Sequence, residues 1–134
     1  MIGNNQSAVI AAHLEVSRKT LTETVVIAAG ASVSSAVDKS HHSHLAIFLP
    51  SGWTTAAITF LGCETFGGTY KQIVSSTDIA EVAIPAVAAS KVVILDTEFL
   101  EALIAVPFLK LRSGTLLDPV NQSTEASINI ILRR

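Results

Sequence analysis

The feature that most constrains the fold is an uncharged apolar stretch in the first half of the chain. Residues 40–63 contain no Asp, Glu, Lys or Arg, and a segment of this length could cross a bilayer as a helix. Pro50, Ser51 and Gly52 interrupt it in the middle, and such residues mark a turn. The flanking pieces are short and rich in Thr, Ile and Phe, which is typical of strands. We therefore predict two buried strands joined by a turn.

From Thr20 onward the chain repeats this pattern of short apolar segments separated by turn residues, which indicates a β-sandwich or barrel. A single helical turn is predicted after Asp96, a candidate N-cap followed by acidic residues. Pro85 and an Ala-rich connection separate the sixth predicted strand from the seventh. The predicted strands cover residues 20–27, 32–37, 45–49, 54–61, 70–74, 79–84, 91–95, 108–112 and 127–133.

Alternation along these strands predicts which side chains form the core. Trp53 follows a turn and either closes the end of the core or offers a sugar-stacking platform, and its position favours the first. Cys63 is the only cysteine, so an internal disulfide is ruled out, and we expect it to be a small buried hydrophobe. The residues expected to point inward are Ile47, Leu49, Ile58, Phe60, Leu109, Leu111, Ile128 and Ile130.

Residues 1–19 differ from the remainder and are predicted to form an N-terminal arm attached to a domain of residues 20–134. A polar start precedes an apolar run and the cation pair Arg18-Lys19. The segment is either a disordered terminus or an arm that orders against a neighbour, and its apolar middle favours the arm. It lacks a basic region followed by an apolar stretch, so no signal peptide is expected. The partner-binding residues predicted on the arm are Val9, Ile10, His13, Leu14 and Val16.

The chain is poor in charge, with 15% charged and 49% hydrophobic residues, whereas an average soluble domain has about 25% charged residues. Either the protein is embedded in a membrane, or other subunits cover much of its surface. The broken apolar stretch argues against the membrane. A net charge of −2 gives no reason to expect nucleic-acid binding.

Three of the four histidines lie close together, at His41, His42 and His44. A metal site needs three or four ligands, and only Asp38 or histidines from symmetry-related chains could complete one here. We therefore predict loop or interface residues and no metal.

Catalytic signatures are missing from the sequence. No Gly-x-Ser-x-Gly nucleophile turn occurs, and Gly67-Gly68 lacks the Lys and helix of a phosphate-binding loop. The carboxylates of Asp96, Glu98 and Glu101 fit the start of a helix. We expect a protein that is not an enzyme and needs no cofactor.

Several stretches resemble small virion proteins of tailed phages, often encoded among head and tail genes. The resemblance covers roughly residues 21–133, and its most specific part is Leu109–Gly114 followed by Pro119–Gln122. The strand order also looks like the discoidin-type jelly roll of carbohydrate-binding domains, although the loops 39–44 and 64–68 differ. The stretches that carry it are ASVSSAVD (31–38), LAIFLPSGWTTAAITFLGCE (45–64), LDTEF (95–99) and FLKLRSGTLLDPVNQSTEASINIIL (108–132).

This resemblance implies a single all-β domain, an antiparallel jelly-roll-like sandwich with an N-terminal extension. It also implies a structural protein of a bacteriophage virion. The interpretation that fits best is a cement or decoration protein on the capsid surface, assembled in the host cytoplasm, bridging capsomers as a homotrimer. Its partners would be the major capsid protein and copies of itself, without nucleic acid or membrane. The alternatives are a carbohydrate-binding module displayed on the virion, and a head–tail or tail component.

Overall fold

The computed structural model describes residues 20–133 of the chain, so the predictions for the arm lie outside the described residues. β-strands dominate this part. The elements are β1 (Leu21–Ile27), β2 (Val33–Asp38), β3 (His44–Phe48), β4 (Ala56–Cys63), β5 (Lys71–Gln72), β6 (Ala83–Val87), β7 (Val92–Ile94), α1 (Thr97–Leu103), β8 (Phe108–Ser113) and β9 (Ala126–Arg133).

The strands form two antiparallel sheets packed face to face. Sheet A has the order β1-β9-β3-β7, and sheet B has the order β2-β8-β4, with β5 and β6 both paired to the outer edge of β4. Successive strands alternate between the sheets except from β4 to β6, which all lie in sheet B. This is the strand order of an eight-stranded jelly roll with the short β5 added. The predicted fold class is confirmed.

The core lies between the two sheets, and it consists of the side chains that alternate inward along each strand. All eight residues predicted to point inward are buried. Phe60 at the centre meets Phe99 of α1 edge to face, with ring centroids 5.8 Å apart. The uncharged stretch forms β3, a turn and β4, as expected. Within residues 20–133 we find no helix that is both long enough and apolar enough to span a bilayer.

The position predicted for the sixth strand, residues 79–84, is wrong. Ile79 has a left-handed backbone with φ of 53° and is exposed, and its N–H donates to Ser75 O at 2.9 Å. The strand begins only at Ala83 and contains Pro85, which we had placed in the connection. Pro85 fits because β6 is an edge strand, where one side of the backbone needs no ladder hydrogen bond.

The helical turn after Asp96 is confirmed, and it extends over seven residues. The Asp96 carboxylate accepts a hydrogen bond from the Phe99 N–H at 2.8 Å. This cap satisfies one of the backbone donors that a helix start leaves unpaired.

Gln122 ties together three loops at the end of the sandwich that holds Trp53. Its side-chain oxygen accepts from the Thr54 N–H at 2.8 Å, and its amide nitrogen donates to Thr54 O at 3.3 Å. Its backbone carbonyl accepts from Gly30 N–H at 2.7 Å, and its own N–H donates to Ala31 O at 2.8 Å. The Gln122 side chain is fully buried, and its two bonds to the Thr54 backbone are strengthened by the low dielectric around it.

Candidate interaction surfaces

The outer face of sheet B is covered by the protein's own chain. Arg112 and Thr59 lie opposite each other on this face, and both are buried. The Arg112 guanidinium forms an ion pair with Glu81, while its Nε donates to Thr59 Oγ1 at 3.0 Å. Glu81 also accepts from the Leu116 N–H at 3.0 Å. The segment around Glu81 and the loop around Leu116 therefore close this face with polar bonds.

The outer face of sheet A is apolar and bare over one half. Phe48, Val92 and Ile94 are 42%, 51% and 78% exposed, and the strand register places Phe48 beside Val92 and Ala46 beside Ile94. Half-buried Ile131 continues the row next to Ala46. We call these five residues the apolar face. Contiguous exposed patches of this kind mark interaction sites.

The strand β7 lies at one edge of sheet A, and among residues 20–133 no strand pairs with its outer side. The bonds from Leu49 N–H to Lys91 O (2.9 Å) and from Leu95 N–H to Leu45 O (3.3 Å) join β7 to β3. Because successive residues of a strand turn their backbone groups to opposite sides, those of Val92 and Ile94 point away from β3. These outward groups offer a template for another strand.

A groove runs between the free edges of β6 and β7 and continues along α1. Its first section has a volume of about 200 Å³ and is apolar, with Ile84, Val93 and Phe99 in its lining. The second section, of about 690 Å³, begins at Phe99 and follows the helix past Glu98 and Glu101. The groove thus combines an apolar floor with an acidic rim.

The histidines lie in the turn between β2 and β3, as predicted, and His44 begins β3. His41 is exposed, and the His42 N–H donates to Lys39 O at 2.9 Å. His44 Nδ1 lies 3.1 Å from Ser43 Oγ. Among residues 20–133, no group of three or more His, Cys, Asp or Glu side chains is arranged to hold a metal ion. Their role at an interface stays a prediction.

Two ionisable groups beside the histidines are perturbed. Hydrogen bonds from the Ser40 hydroxyl and N–H lower the pKa of Asp38, and nearby His41 and His42 lower it further. Lys39 is buried, and burial lowers its pKa because desolvation disfavours the ammonium. The turn therefore carries a buried cation next to a stabilised carboxylate.

Trp53 and Cys63 have the positions expected of core residues. Trp53 is 4% exposed, and its Nε1–H donates to Val87 O at 3.0 Å, so it closes the end of the core and offers no sugar platform. Cys63 is buried beside Thr65, with 3.8 Å between Sγ and Oγ1.

The apolar face was missed by reasoning from the sequence, although a signal was present. Leu45–Leu49 and Val92–Ile94 are apolar without interruption, whereas a strand with one solvated face alternates. Such runs indicate strands that are covered on both sides. The predicted arm residues lie outside the described residues, so the structure does not place them.

No protein-family model matches this chain, and a search of curated proteins also found no match. One solved structure that is similar in fold is titled "Crystal structure of SPBc2 prophage-derived protein YomS". Its identity to this chain is 11%, the TM-score is 0.48, and the similarity covers 86% of this chain and 95% of that one. A similarity of this degree transfers no function to this chain.

Proposed function

We propose that this protein is a structural component of a tailed-phage virion, a cement or decoration protein that stabilises the head by bridging capsomers. The observation that carries the proposal is the apolar face of sheet A, which ends at the free edge of β7. Exposing Phe48, Val92 and Ile94 to water is unfavourable, at about 25 cal/mol per Å² of apolar surface, and a partner surface would cover them.

The low charge of the chain supports the same proposal. Interface cores are depleted in charged residues, and the half of sheet A formed by β3 and β7 has an uncharged outer surface at Ala46, Phe48, Val92 and Ile94. The resemblance of residues 21–133 to small tailed-phage virion proteins supplies the class of partner, which is a capsid shell together with further copies of this chain.

The mechanism of stabilisation is mass action. A protein that binds the assembled shell, and not its separated subunits, lowers the free energy of the assembled state by an amount that grows with its concentration. Such a protein needs complementary surfaces and no reacting groups, so we propose a binding role without catalysis. Bridging requires at least two contacts, and we assign the contact with the shell to the apolar face and the contact between copies to residues 1–19.

The carbohydrate-binding alternative is weakened by the position of Trp53. Sugar recognition needs exposed aromatic rings, whereas the indole of Trp53 is inside the sandwich. The Tyr70 hydroxyl donates to Phe66 O at 2.6 Å, and its ring lies 4.7 Å from Lys110 Nζ. Neither ring is presented as an open platform.

The test is co-sedimentation with capsids assembled from the major capsid protein of the same genome. We expect saturable binding and a higher disassembly temperature of the shell. Phe48→Lys should abolish binding, because a charge would enter the covered patch. Leu117→Lys places the same charge at a position that is 94% exposed in the loop covering sheet B and should bind normally. Binding to isolated tails instead of capsids, or equal binding by the two variants, would contradict the proposal.

A further inference from the structure

We propose that the free edge of β7 and the groove beside it receive the N-terminal arm of a neighbouring copy. The inference deepens the proposed function by naming the partner of this surface, and it rests on that function for the need to join subunits. The occupant is residues 8–19 of the second copy.

The backbone of β7 has unpaired groups along its outer edge. Val92 and Ile94 direct their N–H and C=O groups away from β3, and within residues 20–133 no other strand pairs with them. An extended segment that adds to such an edge gains main-chain hydrogen bonds, while alternate side chains supply specificity. β6, which lines the other side of the groove, contains Pro85, and proline removes a donor from that edge. The β7 side is therefore the one open to strand addition.

The side chains of the arm match the two surfaces beside the β7 edge, which are the groove and the apolar face. A strand on β7 places alternate side chains against the groove, near Val93 and Phe99, and the others beside the apolar face. The arm has an uncharged run at Ala8–Ala12, with Val9 and Ile10 at adjacent positions. Adjacent residues of a strand point to opposite sides, so Val9 would enter the groove and Ile10 would lie beside Ile94 at the margin of the apolar face.

The charges of the groove and of the arm are opposite in sign. The carboxylates of Asp96, Glu98 and Glu101 line the groove along α1, and none of the residues in its lining is a Lys or Arg. The arm ends with the cations Arg18 and Lys19. Attraction between the acidic rim and a cationic segment favours this occupant over an acidic one.

The length of the arm is sufficient to extend beyond its own sheet. Thr20 precedes β1 at the end of sheet A where β7 leads into α1, since Leu21 faces Leu132 and Leu132 faces Leu45. The β1 edge is three strand spacings from β7, about 14 Å, and the eight residues after Ala12 span at most about 28 Å. A segment of this length is therefore long enough to reach the β7 edge of an adjoining copy that lies within about 28 Å of Thr20. A contact between unlike surfaces closes into a ring when copies are related by a rotation axis.

The experiment uses full-length chains that each carry one cysteine in a Cys63→Ala background. Chains with Ile10→Cys are mixed with mass-tagged chains carrying Ile94→Cys and are oxidised mildly. We expect a disulfide between the two kinds of chain, with a yield about tenfold above that of a pair using Leu117→Cys. Leu117 is 94% exposed, more than Ile94, so simple accessibility would favour the control.

A second measurement addresses the backbone pairing. Ile94→Pro removes an N–H that points away from β3, so the existing ladder of sheet A is retained. We expect self-association, measured by sedimentation equilibrium, to weaken about tenfold, whereas Ile94→Thr retains the donor and should weaken it less. Circular dichroism and thermal unfolding of each variant verify that the fold is intact.

The outcomes separate the two proposals. A mixed disulfide at the level of the Leu117 control, or association unchanged by Ile94→Pro, would overturn the arm contact. A third chain carries both Ile10→Cys and Ile94→Cys. A disulfide that forms only within this chain, and not between chains, would overturn the neighbouring-copy assignment in favour of the chain's own arm. If the disulfide between chains forms but the unsubstituted protein does not co-sediment with capsids, the result would count against the proposed function alone.

Discussion

The outer faces of the two sheets present opposite solutions to the same problem. Sheet B carries Arg112 and Thr59 on its outer face beside half-buried apolar residues, and the chain folds back so that these two and Glu81 bond to one another. Sheet A has apolar residues outside at Phe48, Val92 and Ile94, and the described part of the chain leaves them bare. The polar group on sheet B is bonded within the domain, whereas the apolar face stays exposed over residues 20–133.

The two faces differ in what they require of the segment that covers them. Burying the Arg112–Glu81 pair brings a desolvation cost that its mutual attraction and hydrogen bonds must offset, so the pair specifies one arrangement of the covering segment. The apolar face needs no directional partners and can be covered by any complementary surface. Four substitutions test this contrast.

Removing Glu81 should damage the covered face most. Glu81→Ala leaves the Arg112 guanidinium buried without its counter-charge, and we expect the free energy of unfolding to fall by about 3–5 kcal/mol. Urea denaturation measures this change. Glu125→Ala, at an exposed position, is the control and should change stability by less than about 0.5 kcal/mol. A loss for Glu81→Ala as small as the control's would show that the network contributes nothing.

Gly114 begins the loop that covers sheet B, and only glycine fits there. Its φ is +89°, and an added Cβ would lie 2.5 Å from both Asp118 O and Val120 N. Gly114→Ala should therefore destabilise the fold by about 2–4 kcal/mol. Gly30 has a φ of +78° with nothing within 4 Å of an added Cβ, so Gly30→Ala should cost only about 1 kcal/mol. Equal losses in thermal unfolding would contradict the role assigned to the close approach.

Lys39 provides a buried cation to compare with Arg112. Arg112 has Glu81, whereas among the described residues Lys39 has no ion pair. Lys39→Met should raise the free energy of unfolding at pH 7 by about 1 kcal/mol, because a buried ammonium is costly.

The pH dependence of this gain follows from the lowered pKa of Lys39. The folded state binds the proton less tightly than the unfolded state, whose pKa is near the ordinary 10.5. The penalty is therefore complete below the folded pKa and disappears as the pH rises past 10.5. Stability curves of both proteins should converge at high pH. A constant difference would indicate packing instead of charge.

The smallest effect on stability is expected on the apolar face. Phe48→Thr should lower the free energy of unfolding by less than about 1 kcal/mol, because the side chain is 42% exposed and threonine retains β propensity. Phe60→Thr, on the inner face of sheet B, should cost about 3–5 kcal/mol. Calorimetry measures both. A large loss for Phe48→Thr would mean that the face contributes to the fold of the single domain.

Local pattern predicted most strands, because alternation and turn residues act within a few positions. It failed at Ile79, where an apolar side chain occupies a left-handed turn, and at Pro85, which is tolerated only because of the edge position of β6. Edge and centre are properties of the sheet as a whole, so neither position could be judged from its neighbours in sequence.

The surfaces were harder to predict than the fold. The pair Arg112–Glu81 joins residues that are 31 positions apart, and no local pattern couples them. The histidine turn was located correctly, since His44 directly precedes an apolar run. The apolar face required knowing that β3 and β7 are neighbours with Phe48 beside Val92, and this pairing depends on the complete topology.

The ties made by Gln122 determine where this protein can change during evolution. One buried side chain holds the β3–β4 loop at Thr54, and its backbone holds the β1–β2 loop at Gly30 and Ala31. An insertion in any one of these loops would have to preserve the anchor points of the others, so they cannot diversify independently. The opposite end has a simpler backbone tie, from the Lys39 N–H at the histidine turn to Pro107 O after α1 at 2.9 Å. New binding specificities are therefore expected to arise at that end by lengthening of its loops.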